Sequence, residues 1–167
     1  MRKKLLLGNW KMNKTVSEAK DFALQTAELV KFAEEHNVLV GVAPTYLCLD
    51  AVKNNVSGMI VAAQNCHFED SGAFTGEVSI PMLKDLGISW CLIGHSERRT
   101  YDNETNEKCN KKIVKLVKND MVPAQVLHTR VLSSCLGSLA TLTLSSSGCS
   151  ASRALSLCHS PSHRWVL

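Results

Sequence analysis

A chain of 167 residues, 45% hydrophobic and 20% charged, is long enough to bury the core of one domain and unlike a disordered polymer in composition. Its formal net charge of +4 is mild, and the basic residues are scattered apart from Lys111-Lys112 and the first few positions, so nucleic-acid binding is not indicated. No stretch reaches the ~20 apolar residues that a membrane-spanning helix needs, so no membrane partner is expected.

In chain order, MRKKLLL opens like a signal peptide, but its apolar run ends at Gly8-Asn9-Trp10-Lys11, well short of a signal core. Lys4 to Gly8 instead reads as a short buried strand. Ser17 to Glu35 reads as one helix, with Thr15 as N-cap three residues before Glu18. Val38 to Val42 is a second apolar strand, closed by Ala43-Pro44. A short helix follows over Tyr46 to Lys53, and a third strand over Met59 to Ala63 ends at Gln64-Asn65. After a loop, a helix from about Pro81 to Asp85 leads into a strand that breaks at Gly94 before His95. Glu104 to Lys118 is helical again, and Met121-Val122-Pro123 begins a fifth strand.

Short, uniformly apolar strands separated by helices indicate parallel strands covered on both faces, hence an α/β fold. The alternation suits a doubly wound sheet and a (β/α)₈ barrel equally. The seven cysteines (48, 66, 91, 109, 135, 149 and 158) are odd in number and show no C-x-x-C spacing. Packing roles in a reducing cytoplasm are the expectation for most of them.

After Pro123 the composition changes. Residues 124–167 contain no Asp, Glu or Lys, although the chain has 15 acidic residues in all. Ser and Leu dominate, no helical or strand period persists, and SSSGCSAS has the character of a linker. A break in the reading frame or a wrong splice near Pro123 is the favoured reading, with a Ser-rich disordered tail as the alternative.

Polar residues cluster where strands end. Asn9 and Lys11 end the first, Gln64 and Asn65 the third, and His95 the fourth. In parallel α/β folds, ligands bind at the carboxyl ends of strands, where loops converge. The bland alternative is that these groups satisfy loose backbone at strand ends. Ser96 and Glu97 follow His95 as though a helix begins there, and a helix N-terminus favours the neutral imidazole, which can donate to a developing oxyanion. Lys11 would supply positive charge for an anionic substrate, which points to a small phosphorylated or carboxylated carbonyl compound.

GNWKMNKT at 8–15, FTGEVS at 74–79 and IGHSERR at 93–99 together resemble the triosephosphate isomerase family, from about Lys4 to Pro123. The resemblance implies an incomplete (β/α)₈ TIM barrel of four to five βα units over residues 1–123, followed by the off-pattern Ser/Leu-rich tail. It implies a homodimer that interconverts dihydroxyacetone phosphate and D-glyceraldehyde 3-phosphate in glycolysis and gluconeogenesis, with no metal or organic cofactor. Asn9 and Lys11 would hold the substrate, His95 would polarise its carbonyl as a neutral electrophile, and Glu97 would stand beside the lysine; this enzyme is itself a standard example of such a tuned imidazole. The loop around Phe74, Thr75, Gly76 and Glu77, with Gln64, Asn65 and Arg98, would form the dimer interface, Arg98 pairing with Glu77 across it.

The sequence also departs from the family. The general-base glutamate belongs to a stretch like YEPVWAIGTG, and no such stretch occurs. The glycine-rich phosphate loops are likewise absent, and where the family reads roughly P-x-x-C-V-G-E the chain reads PAQVLH from Pro123. A positioned base is worth ~10²–10⁴-fold in rate, and loss of the closing loop admits water to the intermediate. These residues alone are therefore expected to be inactive. They are also expected to fold with difficulty, because an open partial barrel leaves an apolar edge. A non-catalytic remnant that acts only by oligomerising is the alternative function.

Overall fold

Five apolar segments become parallel neighbours in one sheet. The computed structural model describes residues 3–125 and 164–166. Along the chain it forms β1 (Lys4–Asn9), α1 (Val16–Leu24), α2 (Ala27–Glu35), β2 (Val38–Ala43), α3 (Tyr46–Lys53), β3 (Ile60–Ala63), α4 (Ile80–Asp85), β4 (Trp90–Ile93), α5 (Ser96–Tyr101), α6 (Asn106–Lys118), β5 (Val122–Gln125) and β6 (Arg164–Val166). The sheet order is β5-β4-β3-β2-β1-β6, with β1 to β5 mutually parallel. Consecutive strands lie side by side in sequence order, which is the arrangement of a curled half-barrel rather than of a doubly wound sheet.

Both faces of β2, β3 and β4 are largely buried, which is why they read as continuous apolar runs. On one face Val40, Val42, Val61, Cys91 and Ile93 pack against Ala33, Leu49, Val52, Leu83 and Leu116 from the helices. On the concave face Leu7, Ala43, Ala62 and Leu92 form a smaller cluster, lined by Leu5, Trp90 and Ala124. At Gly41 the strands come closest: a Cβ there would lie 2.8 Å from both Cβ and the carbonyl oxygen of Ile60. Only glycine admits that approach.

Two features differ from the sequence reading. The single helix over 17–35 is two helices, α1 and α2, interrupted at Gln25-Thr26. Thr26 Oγ1 donates to the Ala23 carbonyl at 2.8 Å, a local side-chain bond that competes with continued helix. The start of α1 is as read, with Thr15 and Glu18 forming a capping box. Secondly, β6 pairs antiparallel with β1, Asn9 opposite Arg164 and Leu7 opposite Val166. Three residues are too few for a period-2 pattern to register. The tail otherwise, residues 126–163, lies outside the described residues, and with it the expectation of a disordered or frame-shifted segment. β5 itself continues two residues past Pro123, to Gln125. Among the described residues no helix is long and apolar enough to cross a membrane.

Candidate active site

The carboxyl ends of β1, β3 and β4 open into one cavity of about 400 Å³, whose lining includes Asn9, Lys11, Gln64, Asn65, His95 and Glu97. The clustering of polar strand ends seen in the sequence is therefore a spatial fact.

Lys11 is held in an uncommon conformation. Its φ of 54° lies in the left-handed region, which costs a non-glycine residue ~1–2 kcal/mol. Two neighbours brace that turn. The buried Asn9 accepts through Oδ1 from the Lys11 N–H at 2.9 Å. Gln64 Nε2 donates to the Lys11 carbonyl at 2.8 Å and to the Ala43 carbonyl at 2.9 Å, tying the ends of β1, β2 and β3 together. The braced backbone sends the ammonium across to Oε1 of Glu97, with which it forms an ion pair.

β4 delivers the histidine. Gly94, at φ 75°, turns the chain out of the strand, and His95 becomes the N-cap of α5. Its Nδ1 accepts from the Glu97 backbone N–H at 3.2 Å. The Glu97 carboxylate also lies near, with Oε2 3.5 Å from Nδ1, but it is already engaged by Lys11. With Nδ1 accepting from an N–H donor, a ring in its neutral form would carry its proton on Nε2. An imidazole, an ammonium and a side-chain amide in one small cavity can bind an oxygen-rich anion and donate hydrogen bonds to it.

Beneath this floor lies a second group that the sequence did not single out. Lys112 of α6 donates to Asn65 Oδ1 at 2.8 Å and forms an ion pair with Glu104, their side chains only 6% and 2% exposed. Arg98 Nε lies 3.6 Å from Glu104, and Nη1 lies 3.3 Å from Asp102. Burial raises the Glu104 carboxyl, but the hydrogen bond and charge of Lys112, with Arg98, outweigh it and hold the group below its ordinary value. Tyr46 closes the network by donating to the Asn65 carbonyl at 2.6 Å, and burial pushes its phenol well above the usual range. A signal for Lys112 did exist, since Cys109, Lys112 and Leu116 share the buried face of α6.

The remaining residues expected to take part, Phe74, Thr75, Gly76 and Glu77, lie outside the pocket and form an exposed turn in which the Glu77 N–H donates to the Phe74 carbonyl at 3.0 Å. Phe74 is half-exposed, its ring 4.3 Å from that of His67. Within the chain Arg98 faces Asp102 and Glu104. No group of three or more His, Cys, Asp or Glu among the described residues is arranged to hold a metal.

Comparison with known proteins follows the same residues. The family model described as "Triosephosphate isomerase" matches residues 4–126. Curated proteins of that name include one from Clostridium beijerinckii, 52% identical over 125 residues, covering 74% of this chain and 49% of the relative. One from Clostridium botulinum is 50% identical over the same shares, and one from Chlorobium luteolum is 50% identical over 72% of this chain and 49% of its own. The chain thus spans about half the length of the curated relatives it matches.

Proposed function

The chain belongs to the triosephosphate isomerase family, and from that premise we propose that its pocket is the substrate-holding half of an isomerase site for dihydroxyacetone phosphate and D-glyceraldehyde 3-phosphate. In this reading Asn9 and Lys11 bind the triose phosphate, the ammonium offsetting phosphate and enediolate charge. His95 donates from Nε2 to the substrate oxygen where negative charge develops, and Glu97 keeps the lysine in position. The observation that carries the reading is the convergence of Asn9, Lys11 and His95, from the ends of two strands, on one cavity.

The half-site holds and polarises; it does not abstract the carbon-bound proton. Residues 124–167 include His128, His159 and His163 but no Asp or Glu, so we assign these 167 residues no useful isomerase turnover by themselves. We take 1–123 as the barrel part and 124–167 as the unmatched tail, except that Ala124 and Gln125 complete β5. An isomerase assay on the purified chain tests the assignment: turnover above the uncatalysed rate that vanishes in His95→Gln would overturn it. Resequencing the coding DNA across Pro123 tests the origin of the tail. A neighbouring frame restoring C-V-G-E and then Y-E-P-V-W would mark the tail as an artefact.

A second reading is a non-catalytic half-barrel that acts by oligomerising. It is favoured by the exposed apolar residues Leu47, Phe74, Met82 and Tyr101. Homodimerisation through Thr75, Glu77, Gln64, Asn65 and Arg98 belongs to both readings. Co-purification with an intact isomerase subunit supports the second; isolation solely as a monomer or aggregate counts against it. A reducing cytoplasmic setting accords with both, as Cys48, Cys66, Cys91 and Cys109 are free thiols packed in the core.

A further inference from the structure

A further cavity, of about 370 Å³, lies between the loop after β3 and the helix α6, and the isomerase reading uses none of its residues. Phe68 and Glu69 line it from the loop, and Asn110, Lys111, Val114 and Lys118 from the helix. Lys111 and Lys118 are seven positions apart, about 10 Å along the axis, and share one helix face with Val114 between them. Loop and helix are cross-braced. Lys115 Nζ pairs with Asp70 Oδ2 at 2.7 Å, and Lys111 Nζ stands over the Phe68 ring, 5.2 Å from its centroid. Phe68 is itself fixed by stacking on His67, the ring centroids 4.4 Å apart, and the Glu69 N–H donates to His67 Nδ1 at 3.0 Å. The charges here do not cancel. Asp70 offsets Lys115, but among the described residues no carboxylate pairs with Lys111 or Lys118. Glu69 alone of the lining residues is acidic.

We propose that this groove binds a nucleoside monophosphate, at a site separate from the triose phosphate pocket. Lys111 and Lys118 take the phosphate, whose dianion their two ammonium groups match. Val114, 43% exposed, and the half-buried Phe68 give the base an apolar wall. The Asn110 amide can donate and accept, and the Glu69 carboxylate accepts, so the polar edge of the base and the ribose hydroxyls find partners. The Glu69 charge also opposes ligands more negative than a dianion, which sets a monophosphate above a triphosphate. The volume lies at the small end of the ~300–1,000 Å³ of small-molecule sites, which favours one nucleotide over a dinucleotide or a polymer. Because the groove is open and its cations are exposed, binding is weak and falls with added salt.

The test is a titration of the isotope-labelled full chain with AMP, followed by backbone amide shifts. The expected result is saturation with a Kd of ~0.1–1 mM. The shifts should be centred on residues 67–70 and 110–118, the two sides of the groove. Adenosine and inorganic phosphate, each carrying half of the contacts, should bind at least ~10-fold more weakly. Lys111→Gln combined with Lys118→Gln should weaken AMP at least ~10-fold. Asp70→Asn should do the opposite and tighten it about threefold, because it releases Lys115 to the ligand. All three side chains are exposed, so these substitutions spare the core. No saturation below ~10 mM overturns the proposal. So do shifts centred on residues 9–11 and 95–97, AMP binding that survives the double substitution, or inorganic phosphate binding as tightly as AMP. The parent's shift map decides the matter even where a variant fails to fold.

Discussion

Replacing Lys112 by Met removes a buried ammonium while keeping the length of the side chain. In the parent, that ammonium serves both Glu104 and Asn65 Oδ1. Without it, a carboxylate only 2% exposed is left with Arg98 Nε at 3.6 Å as its remaining charged neighbour among the described residues. Breaking a buried pair from one side costs about 3–5 kcal/mol, because the other charge stays buried. Set against the ~5–15 kcal/mol of a typical domain, that is a large share. With a urea slope near 2 kcal/mol/M, the unfolding midpoint of Lys112→Met should fall by about 2 M. The pH arm sharpens the test. Glu104 is held below its ordinary value, so in the parent its contribution is present above the unfolded pKa of about 4.3 and lost as pH falls through the folded one. In Lys112→Met the carboxyl rises instead, so acid helps the variant. The gap between the proteins should be widest at pH 7 and narrow towards pH 4. Replacing Glu104 by Leu as well should recover most of the loss. A midpoint shift worth less than about 1 kcal/mol at pH 7, with the same gap at pH 4, would refute the reasoning.

Gly41→Ala forces a methyl to 2.8 Å from the Ile60 backbone oxygen and Cβ; overpacking of this kind costs about 1–3 kcal/mol, readable as a lowered thermal midpoint. Gln64→Ala removes two donated hydrogen bonds, to Lys11 and Ala43, at about 0.5–1.5 kcal/mol each, and amide exchange should quicken around Lys11 more than in α1. Lys11→Gly relieves about 1–2 kcal/mol of left-handed strain against about 0.5–1 kcal/mol of added chain entropy, so this variant should unfold no earlier than the parent. A marked fall in its midpoint would show that the half-exposed Lys11–Glu97 pair matters to stability more than such pairs usually do.

The parts legible in the sequence were those written in contiguous residues. Val38–Ala43 and Trp90–Ile93 are apolar on both faces, so their runs have no polar interruptions, and the polar residues just past them mark where strand meets loop. The helix break at Gln25-Thr26 was hidden because apolar residues continue in phase through it, and a threonine hydroxyl bonding back to Ala23 leaves no trace in periodicity. Asn9, Lys11 and His95 could be singled out by their chemistry at strand ends. The brace from Gln64 to Lys11 spans 53 positions and the Lys112–Asn65 bond 47, and nothing local encodes either. Lys112 stands in a Lys-Lys pair that looks like solvated surface, and only its helical phase with Cys109 and Leu116 gave it away.

On the proposal made above, residues 3–125 present a substrate-holding part of an isomerase site, and neither the general-base glutamate nor the glycine-rich phosphate loops occur in this sequence. Co-expression of this chain with the C-terminal half of the Clostridium beijerinckii relative tests it most directly, the complex being isolated and assayed for triose phosphate isomerisation. The account predicts turnover in the complex, none in either part alone, and its loss on His95→Gln or Lys11→Met in this chain. A complex that forms yet stays inactive, or whose turnover ignores both substitutions, would contradict it.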